Sequence, residues 1–291
     1  MALRWLWSAL SALGPHGEVG MKLSRPRKFV LLGTIFLLVG LSGRASANEA
    51  ADRAPTLSAS PPAPVATPAP SAKKKPEKAT VPVATKHNGG PAGSRTMTGG
   101  KAVALTFDDG PDPTHTPQIL KLLAQHKVRA TFCVVGKNAQ RHPQLIRQIV
   151  AGGHTLCNHT WNHNLKLGKA PAANIKADLA RTNAAIRRAA PKAKISYFRA
   201  PGGNFTPRLV GVARQLKMTS IYWKVDPRDW EHPKGETRAQ HRARVIKKVQ
   251  KYACNGAIVL SHDYAQPDTI VAYRTLLPWL RKRFTLAPLP A

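Results

Sequence analysis

From residue 101 onward, short apolar runs alternate with longer stretches whose apolar positions recur three or four apart. Residues 102–107 (AVALTF) form an unbroken apolar run stopped by Asp-Asp-Gly-Pro, the pattern of a buried strand ending in a turn. Further strands are predicted at 130–135 (ATFCVV), 154–158 (HTLCN), 196–199, 219–223 (TSIYW) and 257–261 (AIVLS), with a last short one at 284–287. Between them the spacing predicts helices from Thr116 (as N-cap, with Pro117 at the first helical position), then over 143–152, 171–190, 207–216, 238–252 and 269–282. In the 171–190 helix, Ile175, Leu179 and Ile186 share one face. A parallel pair of strands needs a crossover long enough for a helix, so this alternation predicts parallel strands covered by helices. A barrel and an open doubly wound sheet both satisfy it, and in both the chemistry sits at the carboxyl ends of the strands.

Upstream of residue 101 this pattern is absent. From Met21 a basic start (MKLSRPRK) leads into an apolar run over 29–41 and then Ala45-Ser46-Ala47, the three-part layout of a secretory signal. The run is shorter than the about 20 residues of a membrane span; an uncleaved anchor is the alternative. Residues 1–20 fit no signal pattern, so Met21 is the expected initiator, with an upstream start at Met1 the alternative. Residues 48–100 are rich in Ala, Pro, Thr, Ser and Gly, carry the basic knot Lys73-Lys74-Lys75, and show no period. Such a segment buries too little surface to offset its ordering entropy and is expected to be a semi-extended linker. The expected layout is an N-terminal extension and signal peptide (1–47), a linker (48–100) and one folded domain (101–291), secreted or held at the cell envelope.

Charge changes this picture in one respect. The 291 residues carry a formal +31, and residues 101–291 alone hold 32 Lys+Arg against 10 Asp+Glu, a net +22. The folded domain is therefore expected to attract polyanions, with an anionic cell wall favoured and nucleic acid disfavoured for an exported chain. Three cysteines are too few for a disulfide-built mini-domain. Cys133, Cys157 and Cys254 lie on or beside predicted strands and are expected to be buried, with one disulfide allowed in an exported chain.

Against that basic background the few carboxylates stand out. Five of the ten, Asp108, Asp109, Asp226, Asp229 and Asp263, come just after predicted strands, as do His159, His163, Arg199 and His262. His159 and His163 are four apart, so on one helical turn both imidazoles would reach one metal, with Asp108 or Asp109 as the carboxylate ligand. Successive side chains on a strand point apart, so the two aspartates are expected to divide the work between metal ligand and general base. Arg199 offers a fork that would hold the base ionised, and His262 is a candidate general acid.

Five motifs in order then carry a family resemblance: Thr106-Phe107-Asp108-Asp109-Gly110-Pro111, His159-Thr160-Trp161-Asn162-His163, Phe198-Arg199-Ala200-Pro201-Gly202-Gly203, Asp226-Pro227-Arg228-Asp229-Trp230 and Val259-Leu260-Ser261-His262-Asp263. Together they resemble the polysaccharide deacetylases, carbohydrate esterase family 4, with the NodB homology domain. The resemblance implies an α/β fold, a distorted (β/α) barrel of about seven parallel strands. It also implies a divalent metal, zinc being usual and cobalt or another divalent ion the alternative. Asp109, His159 and His163 would bind that metal, Asp108 would be the general base oriented by Arg199, and His262 the general acid held by Asp229. Trp230 and Leu260 would wall the acetyl pocket, and Gly202 would supply a backbone N–H to the oxyanion at a position usually occupied by an aromatic residue. The implied reaction is removal of N-acetyl groups from an acetylated polysaccharide by a monomer, with peptidoglycan the leading substrate and chitooligosaccharides or acetylated xylan the alternatives. A non-catalytic binder of wall polymer is the competing reading from charge alone.

Overall fold

The computed structural model describes residues 89–290, so the expected signal peptide and most of the expected linker lie outside the described residues. Six strands, β1 (Ala104–Asp108), β2 (Thr131–Val134), β3 (Thr155–Asn158), β4 (Ile195–Phe198), β5 (Thr219–Ser220) and β6 (Ile258–His262), lie in the order β5-β4-β3-β2-β1-β6. Every neighbouring pair is parallel. Between β5 and β6 the wall is completed by single pairings. Arg95 pairs with Ile221 just past β5, Met97 with Ala257 just before β6, and Val225 with Val259. The sheet thus curls into a distorted (β/α) barrel.

These closures bring two differences from the sequence reading. Residues 94–98, expected as linker, belong to the folded part. The Arg95 N–H donates to the Ser220 carbonyl at 2.9 Å and its own carbonyl accepts from Tyr222 N–H at 2.7 Å. The seventh strand, expected at 284–287, is one parallel bridge between Leu286 and Val103. Pro288 and Pro290 have no N–H to continue a ladder, so the chain turns across the barrel instead. There Leu289 N–H donates to Thr131 Oγ1, and the Leu289 and Pro290 carbonyls accept from Thr155 Oγ1 and Tyr197 OH.

Seven α-helices cover the outside: α1 (Thr116–Gln125), α2 (Gly136–Arg141), α3 (Pro143–Ala151), α4 (Ala172–Ala189), α5 (Pro207–Gln215), α6 (Arg238–Tyr252) and α7 (Pro267–Arg281). Helix α2 was not legible in the sequence, because its six residues GKNAQR carry no apolar period. Thr116 is the first residue of α1 rather than its cap; Asp112 Oδ1 takes the N–H groups of Thr114 and His115 one turn earlier. Helix α6 begins with a capping box between Thr237 and Gln240.

Strand alternation sorts side chains between two cores. Leu105, Phe107, Phe132, Leu156, Phe198 and Val259 face outward and pack against helix residues such as Ile119, Ile175, Leu179 and Tyr273. Ala104, Cys133, Cys157, Tyr197, Ile221, Ile258 and Leu289 form a separate buried cluster inside the barrel. Cys133 and Cys157 are register partners on β2 and β3 and form a disulfide, while Cys254 is free.

Candidate metal and catalytic centre

Asp108 ends β1 on the same inward face as Ala104 and Thr106, and its register partner on β6 is His262. Alternation would turn Asp109 outward, as the sequence suggested. Instead Asp109 adopts a left-handed backbone (φ 74°) that brings its carboxylate back toward the same cavity. Asn138 Nδ2 fixes this turn by donating to the Asp109 carbonyl at 2.8 Å, and Val135 N–H donates to the Gly110 carbonyl at 2.9 Å.

The two histidines also converge without the helical turn expected of them. Thr160 and His163 both have positive φ, 66° and 57°, so the chain after β3 makes tight turns. His159 Nε2 lies 3.2 Å and His163 Nε2 3.3 Å from the same atom, Asp109 Oδ1. Asp108 Oδ2 is 3.7 Å from His159 Nε2.

The three groups fit a divalent cation. The Arg199 carbonyl only accepts, so His159 Nδ1, 2.8 Å away, is the donor, which turns Nε2 toward the aspartates. Asp109 Oδ1 is buried with no hydrogen-bond partner. One donor atom from each of Asp109, His159 and His163 lies within 4.8 Å of the others. Titration directions agree. Burial favours the neutral acid in Asp109, yet the surrounding histidines, His159 foremost, hold it well below the usual carboxylate range. Burial pushes His159 down, but Asp108 and Asp109 together carry it up. The pocket calls for positive charge, and a nitrogen–nitrogen–oxygen donor set suits zinc or a similar ion.

Arg199 lies just after β4 with no exposed surface. Its Nη1 donates to Asp108 Oδ1 at 2.7 Å and to Thr106 Oγ1 at 2.8 Å, and its Nη2 donates to the Tyr222 carbonyl at 2.9 Å. One Asp108 oxygen is thereby committed to Arg199 while the other faces His159 and the cavity.

On β6, the strand next to β1, His262 Nδ1 meets Asp229 Oδ1 at 2.8 Å. The other Asp229 oxygen accepts from His262 N–H and from Thr269 Oγ1. Burial pushes the His262 imidazole down, but Asp229 outweighs it and carries the ring up to about 10. Arg244 anchors the loop that carries Asp229. It grips Glu236 with Nε and Nη2, and Nη2 also donates to the Glu231 carbonyl at 2.7 Å. Neither Arg244 nor Thr269 stood out in the sequence, since each acts through a contact distant along the chain. Asp229→Asn is expected to move the alkaline limb of kcat/KM toward lower pH, to near the ordinary histidine value of about 6.5. A bound cation would oppose the imidazolium and draw the starting limb below 10, without changing the direction of this shift. An unmoved limb in the pH–rate profile would remove His262 from the role of acid.

The remaining expected residues surround this centre. Leu260 is buried on β6, opposite Thr106. Trp230 is exposed, with the Arg228 guanidinium 4.9 Å from its ring centre. Gly202 takes φ 60°, which favours glycine; the residue is exposed and its N–H is not engaged by any described residue. Asp226 closes its own turn by accepting from Arg228 N–H. Asp263 is buried, bonded by Thr116 Oγ1, and packed where a Cβ on Gly110 would fall 2.5 Å from its carboxylate.

Comparison with known proteins agrees with this arrangement. Residues 95–221 match the polysaccharide deacetylase family. A chitooligosaccharide deacetylase of Sinorhizobium fredii is 36% identical over 209 residues, covering 67% of this chain and 94% of the relative. A peptidoglycan-N-acetylglucosamine deacetylase of Bacillus cereus is 36% identical over 187 residues, covering 63% and 83%. Among solved structures, a family 4 carbohydrate esterase from Streptomyces lividans in complex with acetate superposes with a TM-score of 0.57 at 28% identity, over 65% of this chain and 92% of that one. The chain therefore belongs to the polysaccharide deacetylase family of carbohydrate esterase family 4, hydrolases of carbon–nitrogen bonds outside peptides.

Proposed function

We propose that this protein is an exported, metal-dependent N-deacetylase whose main substrate is the N-acetylglucosamine of peptidoglycan. The observation that carries the reading is that one cavity holds a buried base, a half-buried histidine paired with a buried aspartate, and an Asp/His/His donor set. A divalent ion bound by Asp109, His159 and His163 would polarise the acetamide carbonyl and make water a better nucleophile. Asp108 Oδ2 takes a proton from the attacking water, while Arg199 keeps the carboxylate aimed. The water oxygen bonds to the carbonyl carbon, and the free Gly202 N–H is the backbone donor for the oxyanion that develops. His262 Nε2 then gives its proton to the departing nitrogen as the C–N bond breaks, leaving acetate and the sugar amine. Asp229 keeps that proton on the ring until it is needed. Leu260 and Trp230 supply apolar surface for the acetyl methyl.

The net charge of the domain supports an anionic wall polymer as substrate, as does the similarity to the Bacillus cereus relative. The internal disulfide supports an oxidising compartment. The test is acetate release by the full chain from peptidoglycan, chitooligosaccharides and acetylated xylan, with and without chelator. Chelation is expected to reduce release from peptidoglycan to background, and added Zn2+ to restore it. Release that ignores the chelator would overturn the metal role; no release from any substrate would leave only a polymer-binding protein.

A further inference from the structure

The metal ligands Asp109 and His163 form one end of a groove of about 280 Å³ whose other end the mechanism above does not use. It is close to the roughly 300 Å³ lower end of small-molecule sites, room for a single sugar and not a polymer. Asp109 and His163 contribute to its lining, and Val135, Lys137, Asn162 and Tyr264 extend it away from them.

Two of these side chains are unusual for their setting. Tyr264 comes directly after the His262-Asp263 motif, is 42% exposed, and has no described ring or cation stacked on it. A bare aromatic face beside a carbohydrate-processing centre suits the apolar face of a pyranose. Lys137 is exposed, and no described carboxylate pairs with its ammonium. Its position is nonetheless firmly set. Lys137 N–H donates to the Trp161 carbonyl at 2.8 Å, Gly136 N–H to the Thr160 carbonyl at 2.9 Å, and the next residue, Asn138, holds the Asp109 carbonyl. The lysine therefore grows from backbone tied to both loops that carry the metal ligands. Apart from Asp109, whose carboxylate faces the histidines, His163 and Lys137, the groove is lined by uncharged groups, so Lys137 is its charge without a described ion-pair partner.

We propose that this groove is the subsite for the sugar next to the one being deacetylated, and that it selects a neighbour bearing a free carboxylate, in peptidoglycan a sugar whose lactyl group carries no peptide. The ring of that sugar stacks on Tyr264, its carboxylate pairs with Lys137, and the Asn162 amide lies within the same groove for its hydroxyls. The inference rests on the deacetylase reading for the identity of the adjacent sugar, but binding in the groove is measurable apart from turnover.

The test compares two N-acetylated tetrasaccharides of equal length, one neutral and one with a lactyl carboxylate on alternate sugars. Affinity is measured by calorimetry on the full chain loaded with Zn2+, and acetate release is followed in parallel. The acidic oligosaccharide is expected to bind about fivefold more tightly, as befits one exposed ion pair. Lys137→Ala is expected to abolish that difference, and Tyr264→Ala to weaken both ligands about tenfold. Lys121→Ala, which removes a charge from the outer surface of α1, distinguishes a local contact from the bulk charge of the domain and is expected to keep the preference. Equal affinity for the two ligands, no binding of either, or an equal loss of preference in Lys121→Ala would overturn the proposal. Selective binding through Lys137 without acetate release from either ligand would leave the subsite standing and overturn the deacetylase reading instead.

Discussion

Replacing Asp108 with Asn is expected to lower kcat for acetate release by about three orders of magnitude, with metal content and fold retained. The substitution keeps shape and the ability of one oxygen to accept from Arg199 Nη1, now 2.7 Å from the carboxylate. It removes the acceptor that faces the cavity, and a positioned general base is worth roughly 10²–10⁴ in rate. Because Asp109, His159 and His163 make up the donor cluster without Asp108, bound metal measured by atomic absorption is expected to stay near one per chain. A variant that keeps full turnover would transfer the base role elsewhere. One that loses its metal would place Asp108 among the ligands.

The second large effect is on stability. Arg199→Met is expected to cost roughly 3–5 kcal/mol, the range for removing one partner of a buried ion pair. Arg199 is the largest fully buried side chain among the described residues, and Asp108 is 2% exposed. Without the guanidinium, the buried Asp108 carboxylate, the buried Thr106 hydroxyl and the Tyr222 carbonyl all lose a donor. The measurement is the urea midpoint at unchanged slope. Adding Asp108→Asn to Arg199→Met is expected to recover part of the loss, since the stranded group is then neutral. If the double variant is no more stable than the single one, the cost lies in lost packing and not in unpaired charge.

Much of this centre was legible in the sequence, for a physical reason. Parallel strands all deliver their carboxyl ends to one end of the barrel, so motifs after β1, β3, β4, β5 and β6 meet although the chain spreads them from Asp108 to Asp263. The order of the motifs therefore carried the site. Local geometry was not contained in the pattern. Asp109 and His163 reach their places through left-handed backbone that neither a strand period nor a helix period predicts. The closing pieces were also hidden: residues 94–98 and Leu286 pair too briefly to produce an alternating run. The disulfide between Cys133 and Cys157 required the register of β2 against β3, which spacing alone does not give.

The crossing of the chain's last residues beneath β2, β3 and β4 has a consequence for traffic. With Leu289 seated among Cys133, Cys157 and Tyr197, apolar side chains fill the barrel interior beside β2, β3 and β4. That filling favours the mouth at the strand ends, the face that would receive the glycan, as the route for water in and acetate out. Exchange of acetate for solvent is then expected to depend on how the glycan lifts or slides, so turnover on a long polymer would track movement at the rim as well as chemistry at the base.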